Sequence, residues 1–150
     1  MVHCNGDGAI DMLLEAMKKT TLPKDHRTTI VHAQTIREDQ LEKVKKFGMD
    51  LTLFPSHINY WGDRHATRFL GPKRAARMNP MRSVIDRGIP YTIHNDTPVT
   101  PTSILNMVAF AVNRTTLGGK VLGRDQRMTP YEALKAVTIN AAWQHKEEKE

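Results

Sequence analysis

The sequence predicts an α/β fold in which four strand–helix units build a parallel sheet. Three observations lead there. Short β-branched and apolar runs alternate with longer segments whose apolar residues recur at helical spacing, the order that crossover helices between parallel strands produce. Capping signals and glycines punctuate the junctions between these segments. No G-x-G-x-x-G turn follows any strand, so the dinucleotide-binding form of a doubly wound sheet has no support.

Val2 to Cys4 is the first strand. Ala9, Ile10, Leu13, Leu14 and Met17 then share one face of a helix running to about Lys19. Gly6 relaxes the turn into it, and Asp7 is the expected cap. Thr28 to Ala33 follows a charged turn and reads as the second strand. Thr35 and Glu38 form a T-x-x-E capping box ahead of Leu41, Val44 and Phe47, with Gly48 closing that helix. Leu51 to Phe54 is the third strand, and a long connection is expected from Pro55 to Pro72. Its Tyr60 and Trp61 suit either a binding loop or an Ω-loop packed on its own aromatics.

Lys73 to Arg87 is helical in two pieces, because Pro80 cannot continue the first; Asn79 is the expected cap of the second and Gly88 its end. Tyr91 to His94 is the fourth strand. Pro101 opens a helix whose apolar side carries Ile104, Leu105, Val108, Ala109 and Val112. Thr129 and Glu132 make a second capping box, for a helix running to about Ala142. Residues 1–145 therefore form one unit, and 146–150 a frayed, charged tail. Four such units are half of an eight-unit barrel, which takes about 250 residues when complete.

Hydrophobic residues make up 39% and charged residues 25% of the chain, which suits a packed core and argues against disorder. No apolar run nears the ~18 residues of a membrane span, and the N-terminus lacks the basic-then-apolar pattern of a signal peptide. Cys4 is the only cysteine, which excludes an internal disulfide and makes a reducing compartment, the cytoplasm, the default. The net charge of +6 invites a nucleic-acid reading. Yet Lys43, Lys45, Lys46, Lys73, Arg74, Arg77 and Arg82 are interleaved with acidic or apolar positions, as on solvated helix faces. A basic nucleic-acid-binding α/β module stays a secondary reading.

In a parallel α/β sheet, function collects beyond the carboxyl ends of the strands. His3 closes the first strand, His32 lies near the end of the second, Ser56 and His57 follow the third, and His94 and Asp96 follow the fourth. One such histidine is more often a capping or core residue; four matched placements are harder to dismiss. Two neutral imidazoles and a carboxylate from different strands suit zinc or a similar divalent ion. Such an ion makes hydroxide available near neutral pH and polarises a carbonyl, while an aspartate shuttles the proton. The bland alternatives are strand-end histidines bonded to backbone, and Asp96 in an Asx-turn of N-D-T-P. Cys4, beside His3, points the opposite way, and Met78, Met81, Met107 and Met128 read as core fillers.

The segments V-H-C-N-G-D-G-A-I-D (Val2 to Asp11), I-V-H-A-Q (Ile30 to Gln34), H-I-N-Y-W-G-D-R-H (His57 to His65) and H-N-D-T-P-V (His94 to Val99) resemble the amidohydrolase superfamily, in its amidohydrolase-3 or YtcJ-like branch. So does T-P-Y-E-A-L-K-A-V-T-I-N-A-A (Thr129 to Ala142). The resemblance implies half of a TIM (β/α)8 barrel, approximately strands five to eight with their helices. It implies that His3 and His32 are metal ligands, and that Asp96 is both a ligand and the catalytic acid/base. His57, Trp61, Asp63 and His94 become weaker substrate-binding candidates, with His94 bracing the Asp96 loop.

Two parts of the family pattern are missing: the first-strand H-x-H pair and the fourth-strand residue that completes the metal cage. The expectation is a fragment of a hydrolase of non-peptide or cyclic amides, using one or two divalent ions in the intact enzyme. Alone, it is expected to be inactive, to bind metal weakly, and to self-associate or pair with the missing half-barrel, without membrane or nucleic-acid partners.

Overall fold

A computed structural model describes the whole chain, residues 1–150. Its sheet has four parallel strands in the order β1 (Val2–Cys4), β2 (Thr29–His32), β3 (Asp50–Leu53) and β4 (Tyr91–Ile93). Eight α-helices accompany it: α1 (Asp7–Met17), α2 (Glu38–Lys46), α3 (Ser56–Arg64), α4 (Gly71–Ala76), α5 (Met81–Asp86), α6 (Ile104–Asn113), α7 (Pro130–Ala136) and α8 (Ile139–His145). A π-helical turn, His65–Phe69, continues α3.

A strand order that follows the chain without reversal means that every crossover steps the same way across the sheet. Because such crossovers are right-handed, the helices between strands gather on one face. The register shows which side chains meet them. Cys4, Ile30, Leu51, Leu53 and Ile93 share one pleat, and all are buried. They join Ile10 and Leu14 of α1, Leu41 and Val44 of α2, and Val84 of α5 in the main core. The opposite pleat carries His3, Val31, Thr52 and Thr92 in one row, with Thr29 and Asp50 below them. Cys4 and the four methionines are buried as expected.

Several junctions differ from the sequence expectation, each for a local reason. Helix α2 starts at Glu38, where Gln40 Oε1 accepts the Arg37 N–H at 3.0 Å. Thr35 does not cap it, because its hydroxyl is engaged across the sheet, accepting the Asp7 N–H at 3.0 Å and donating to the Asp7 carboxylate at 3.3 Å. Gly6, not Asp7, is the N-cap of α1. The connection after Pro55 is helical: Pro55 presets the first turn, and Ile58 and Gly62 are buried on the inner side of α3. Asn79 does not cap α5 but turns left-handed (φ 46°), its Oδ1 accepting the Phe54 N–H at 3.3 Å. Ser103 Oγ caps α6 by accepting the Asn106 N–H.

The Thr129–Glu132 capping box forms as expected. The helix it starts breaks at Val137 and Thr138, however, and the break turns α8 onto the opposite face of the sheet. There Gln144 donates to Asp50 Oδ1 at 2.8 Å and accepts from Thr92 Oγ1 at 3.1 Å. The tail is tied down, with Glu148 paired to Arg27 at 2.9 Å.

Arg114 is wholly buried, left-handed (φ 52°) and without a carboxylate in contact. Its guanidinium donates to the backbone carbonyls of Leu122 (2.7 Å), Asn79 (3.0 Å), Met78 (2.8 Å) and Ala76 (3.2 Å). It thereby fastens the loop after α6 to the turn between α4 and α5. That turn reaches the site, since the Asn79 N–H donates to Gln34 O at 2.9 Å.

Candidate functional site

The strand-end histidines come together, with His32 as their hub. Its ring centroid lies 4.5 Å from that of His3, 4.8 Å from His94 and 5.7 Å from His57. Phe54, directly after β3, is wedged among them at 4.4 Å from His57 and stacked on His94 at 5.0 Å. The pleat alone would send His32 toward the helices with Cys4 and Leu53. Left-handed backbone at His32 (φ 74°) and Ala33 (φ 49°) accompanies a ring that lies against His3 instead. Two such non-glycine residues in succession cost about 1–3 kcal/mol each, strain of a kind that collects at functional sites.

Asp96 is also left-handed (φ 50°) and half-buried at the end of β4. The side chain that shapes this turn is that of Asn95, which donates to Thr97 Oγ1 at 3.1 Å and Pro101 O at 2.6 Å. The Asp96 carboxylate is left without a hydrogen bond, and its field opposes the fall in basicity of His32 and His94. Burial wins that contest. It lowers the pKa of His32 below the ordinary imidazole value, that of His94 to about 4 and that of His57 to about 3.

His32, His57 and His94 are therefore neutral at physiological pH, with lone pairs to offer. Nδ1 of His32, Nδ1 of His57 and Nε2 of His94 are buried with no hydrogen-bond partner. Neutral imidazole nitrogens beside a free carboxylate are the donor chemistry of a borderline divalent cation, so these residues fit a metal ion. They do not complete its cage: no three His, Cys, Asp or Glu side chains are yet disposed to hold one. Cys4 is no donor here, since burial pushes its thiol up and Sγ faces the Ala9 carbonyl.

Trp61, on the same side of α3 as His57, stands 5.8 Å from that ring and forms a wall of the cluster. Asp63 is directed elsewhere. Its carboxylate accepts from Thr116 Oγ1 at 3.0 Å and from the Gly118 N–H at 2.9 Å, holding the loop after α6. Sequence reasoning passed over Phe54, Gln34 and His65. His57, Trp61 and His65 recur at i, i+4 and i+8, a stripe that reading 56–64 as a helix would have disclosed.

Comparison with known proteins identifies the family of the chain. The profile of the amidohydrolase family matches residues 1–150. The N-substituted formamide deformylase of Arthrobacter pascens is 28% identical over 143 residues, covering 94% of this chain and 26% of that protein. The putative amidohydrolase YtcJ of Bacillus subtilis is 26% identical over 148 residues, covering 94% and 27%. Crystal structures of metal-dependent hydrolases from Pyrococcus furiosus and Pyrococcus horikoshii superpose with TM-scores of 0.79 at 25% identity. They cover 98% and 97% of this chain, and 29% of each of theirs. The chain thus spans about a quarter of the length of the curated relatives it matches. It belongs to the amidohydrolase family.

Proposed function

We propose that the chain supplies half of the catalytic barrel of a divalent-metal-dependent hydrolase that cleaves C–N bonds in non-peptide or cyclic amides. One observation carries this reading: the buried imidazole nitrogens of His32, His57 and His94 have no hydrogen-bond partner, and their rings gather with the exposed His3 beside the free carboxylate of Asp96. His3, His32 and Asp96 would hold the ion, and zinc suits two imidazoles with a carboxylate. Once bound, the metal supplies Lewis acidity toward water and the substrate carbonyl. Asp96 takes the proton of the attacking water and returns it to the departing nitrogen. Trp61, His57 and His94 wall the approach and keep it dry. Asp63 acts on the substrate only through the loop it fastens.

The half-barrel reading, strands five to eight of a TIM (β/α)8 barrel, rests on the unreversed strand order and on where apolar surface is left bare. Met1, Val2 and Met12 are exposed at the β1 end, and Ile104, Leu105, Tyr131, Leu134 and Ile139 at the β4 end. Another four units would cover both ends and bring the remaining ligands. On its own the chain would self-associate and hold metal weakly. A cytoplasmic setting suits its single, buried cysteine. Arg37, Arg77, Arg82 and Arg87 are committed to ion pairs, which weighs against a nucleic-acid module. No helix is long and apolar enough to cross a membrane.

The test uses N-benzylformamide, a compound of the class named in the Arthrobacter relative, and the chain joined to a complementary half-barrel. Asp96→Asn should abolish turnover, by about a hundredfold or more, with metal content by mass spectrometry mostly retained. Near-normal turnover in that variant refutes the role. Sedimentation of the isolated chain should show dimers or larger species, and a compact stable monomer would count against the half-barrel.

A further inference from the structure

We infer that His65 is a further substrate-binding residue: a neutral imidazole held as its Nδ1–H tautomer by Gln34, offering that hydrogen to an acceptor oxygen of the substrate. The tautomer follows from donor and acceptor chemistry. The buried Gln34 side chain places its amide nitrogen 3.1 Å from His65 Nε2 and 3.1 Å from Met78 Sδ. A thioether sulfur can only accept, so the amide face turned toward it must be NH2. The second hydrogen of that NH2 then points at His65 Nε2, which must present a lone pair. A neutral imidazole with Nε2 accepting carries its proton on Nδ1.

That proton is not used by the folded chain. His65 Nδ1 is buried with no hydrogen-bond partner. Burial also lowers the pKa of His65, which keeps the ring neutral. The ring opens the π-helical turn that continues α3, a distortion often found at functional sites. It stands edge-on to His57 at 6.5 Å, and His57 in turn stands 5.7 Å from His32. The unused donor therefore lies one side chain beyond the proposed metal ligands, where an amide carbonyl or a carboxylate product would need a hydrogen bond. The tautomer stands on geometry alone; the choice of a carbonyl or carboxylate ligand rests on the hydrolase reading above.

Two-bond imidazole 1H–15N spectra of the full 150-residue chain test this, with N-benzylformamide and sodium formate as probes. The expected result is the neutral Nδ1–H pattern for His65, with a shift of its Nδ1 resonance on titration with either probe. Gln34→Glu is isosteric but cannot donate. It should convert His65 to an Nε2–H or doubly protonated ring and remove the probe response, while the remaining spectrum reports an intact fold. Gln34→Leu, which can neither donate nor accept, should leave mixed tautomers and serves if the glutamate variant does not fold.

An Nε2–H pattern in the native chain overturns the inference. So does an Nδ1–H resonance unmoved by saturating probe, whether or not other histidines respond. A response to formate alone supports the donor role and counts against formamides as the substrate class, so the two readings fail separately.

Discussion

Two groups of buried polar side chains lie within one stretch of this molecule, and they are finished in opposite ways. Around Arg114 every nitrogen of the guanidinium has a carbonyl to bond. In the other, His32, His57 and His94 each keep a buried nitrogen with nothing to bond. A satisfied buried network rigidifies, whereas an unsatisfied one is a standing cost that stability alone would remove. On the function proposed above, the first group holds the fold and the second serves chemistry.

The largest effect should come from the satisfied group. Burial without a carboxylate partner lowers the Arg114 pKa to about 10, so the side chain remains charged at neutral pH. Arg114→Leu strands four carbonyls and should cost about 3–5 kcal/mol in urea unfolding. A loss below about 1 kcal/mol would mean that water replaces the guanidinium freely, and the contrast between the two groups would collapse.

Acid should reveal the other group. His57 and His94 have folded pKa values well below the ordinary imidazole range, so the unfolded chain takes up protons first as pH falls. Their contribution is therefore complete above about pH 6.5 and is lost as pH falls through about 4 for His94 and about 3 for His57. The loss should be on the order of a few kcal/mol, visible as a falling melting temperature. His57→Phe should flatten that profile while changing stability near neutral pH by about 1 kcal/mol or less. An unchanged acid slope in the variant would show that His57 is not the buried base.

The smallest effect belongs to Glu132, a partly exposed carboxylate that unites the cap of α7 with Arg82. The Arg82 guanidinium and the Thr129 cap hold its pKa down to about 2, so its contribution is present above the ordinary carboxylate range and disappears as pH falls toward that value. Glu132→Gln should cost about 1 kcal/mol near neutral pH and nothing measurable in strong acid.

Much of this plan was legible in the chain, and the gaps have physical causes. The four strands announced themselves because buried parallel strands are β-branched runs, and their terminal histidines stood out against them. The helix after Pro55 did not, because a proline followed by mixed aromatic and polar residues also describes a loop. Thr35 had a good local cap to make, but a bond across the sheet to Asp7 displaced it. The left-handed turn at His32 and Ala33 carries no glycine to mark it. Arg114 was one basic residue among 22, and nothing local distinguishes an arginine that will be sealed under four carbonyls.

The position of Gln144 has a consequence for traffic. Its amide bridges the bases of β3 and β4 on the face opposite the main core, and α8 lies over that end like a stopper in a drain. In the closed barrel proposed above, a small molecule would reach the imidazoles from the rim at the carboxyl ends of the strands, the end opposite α8.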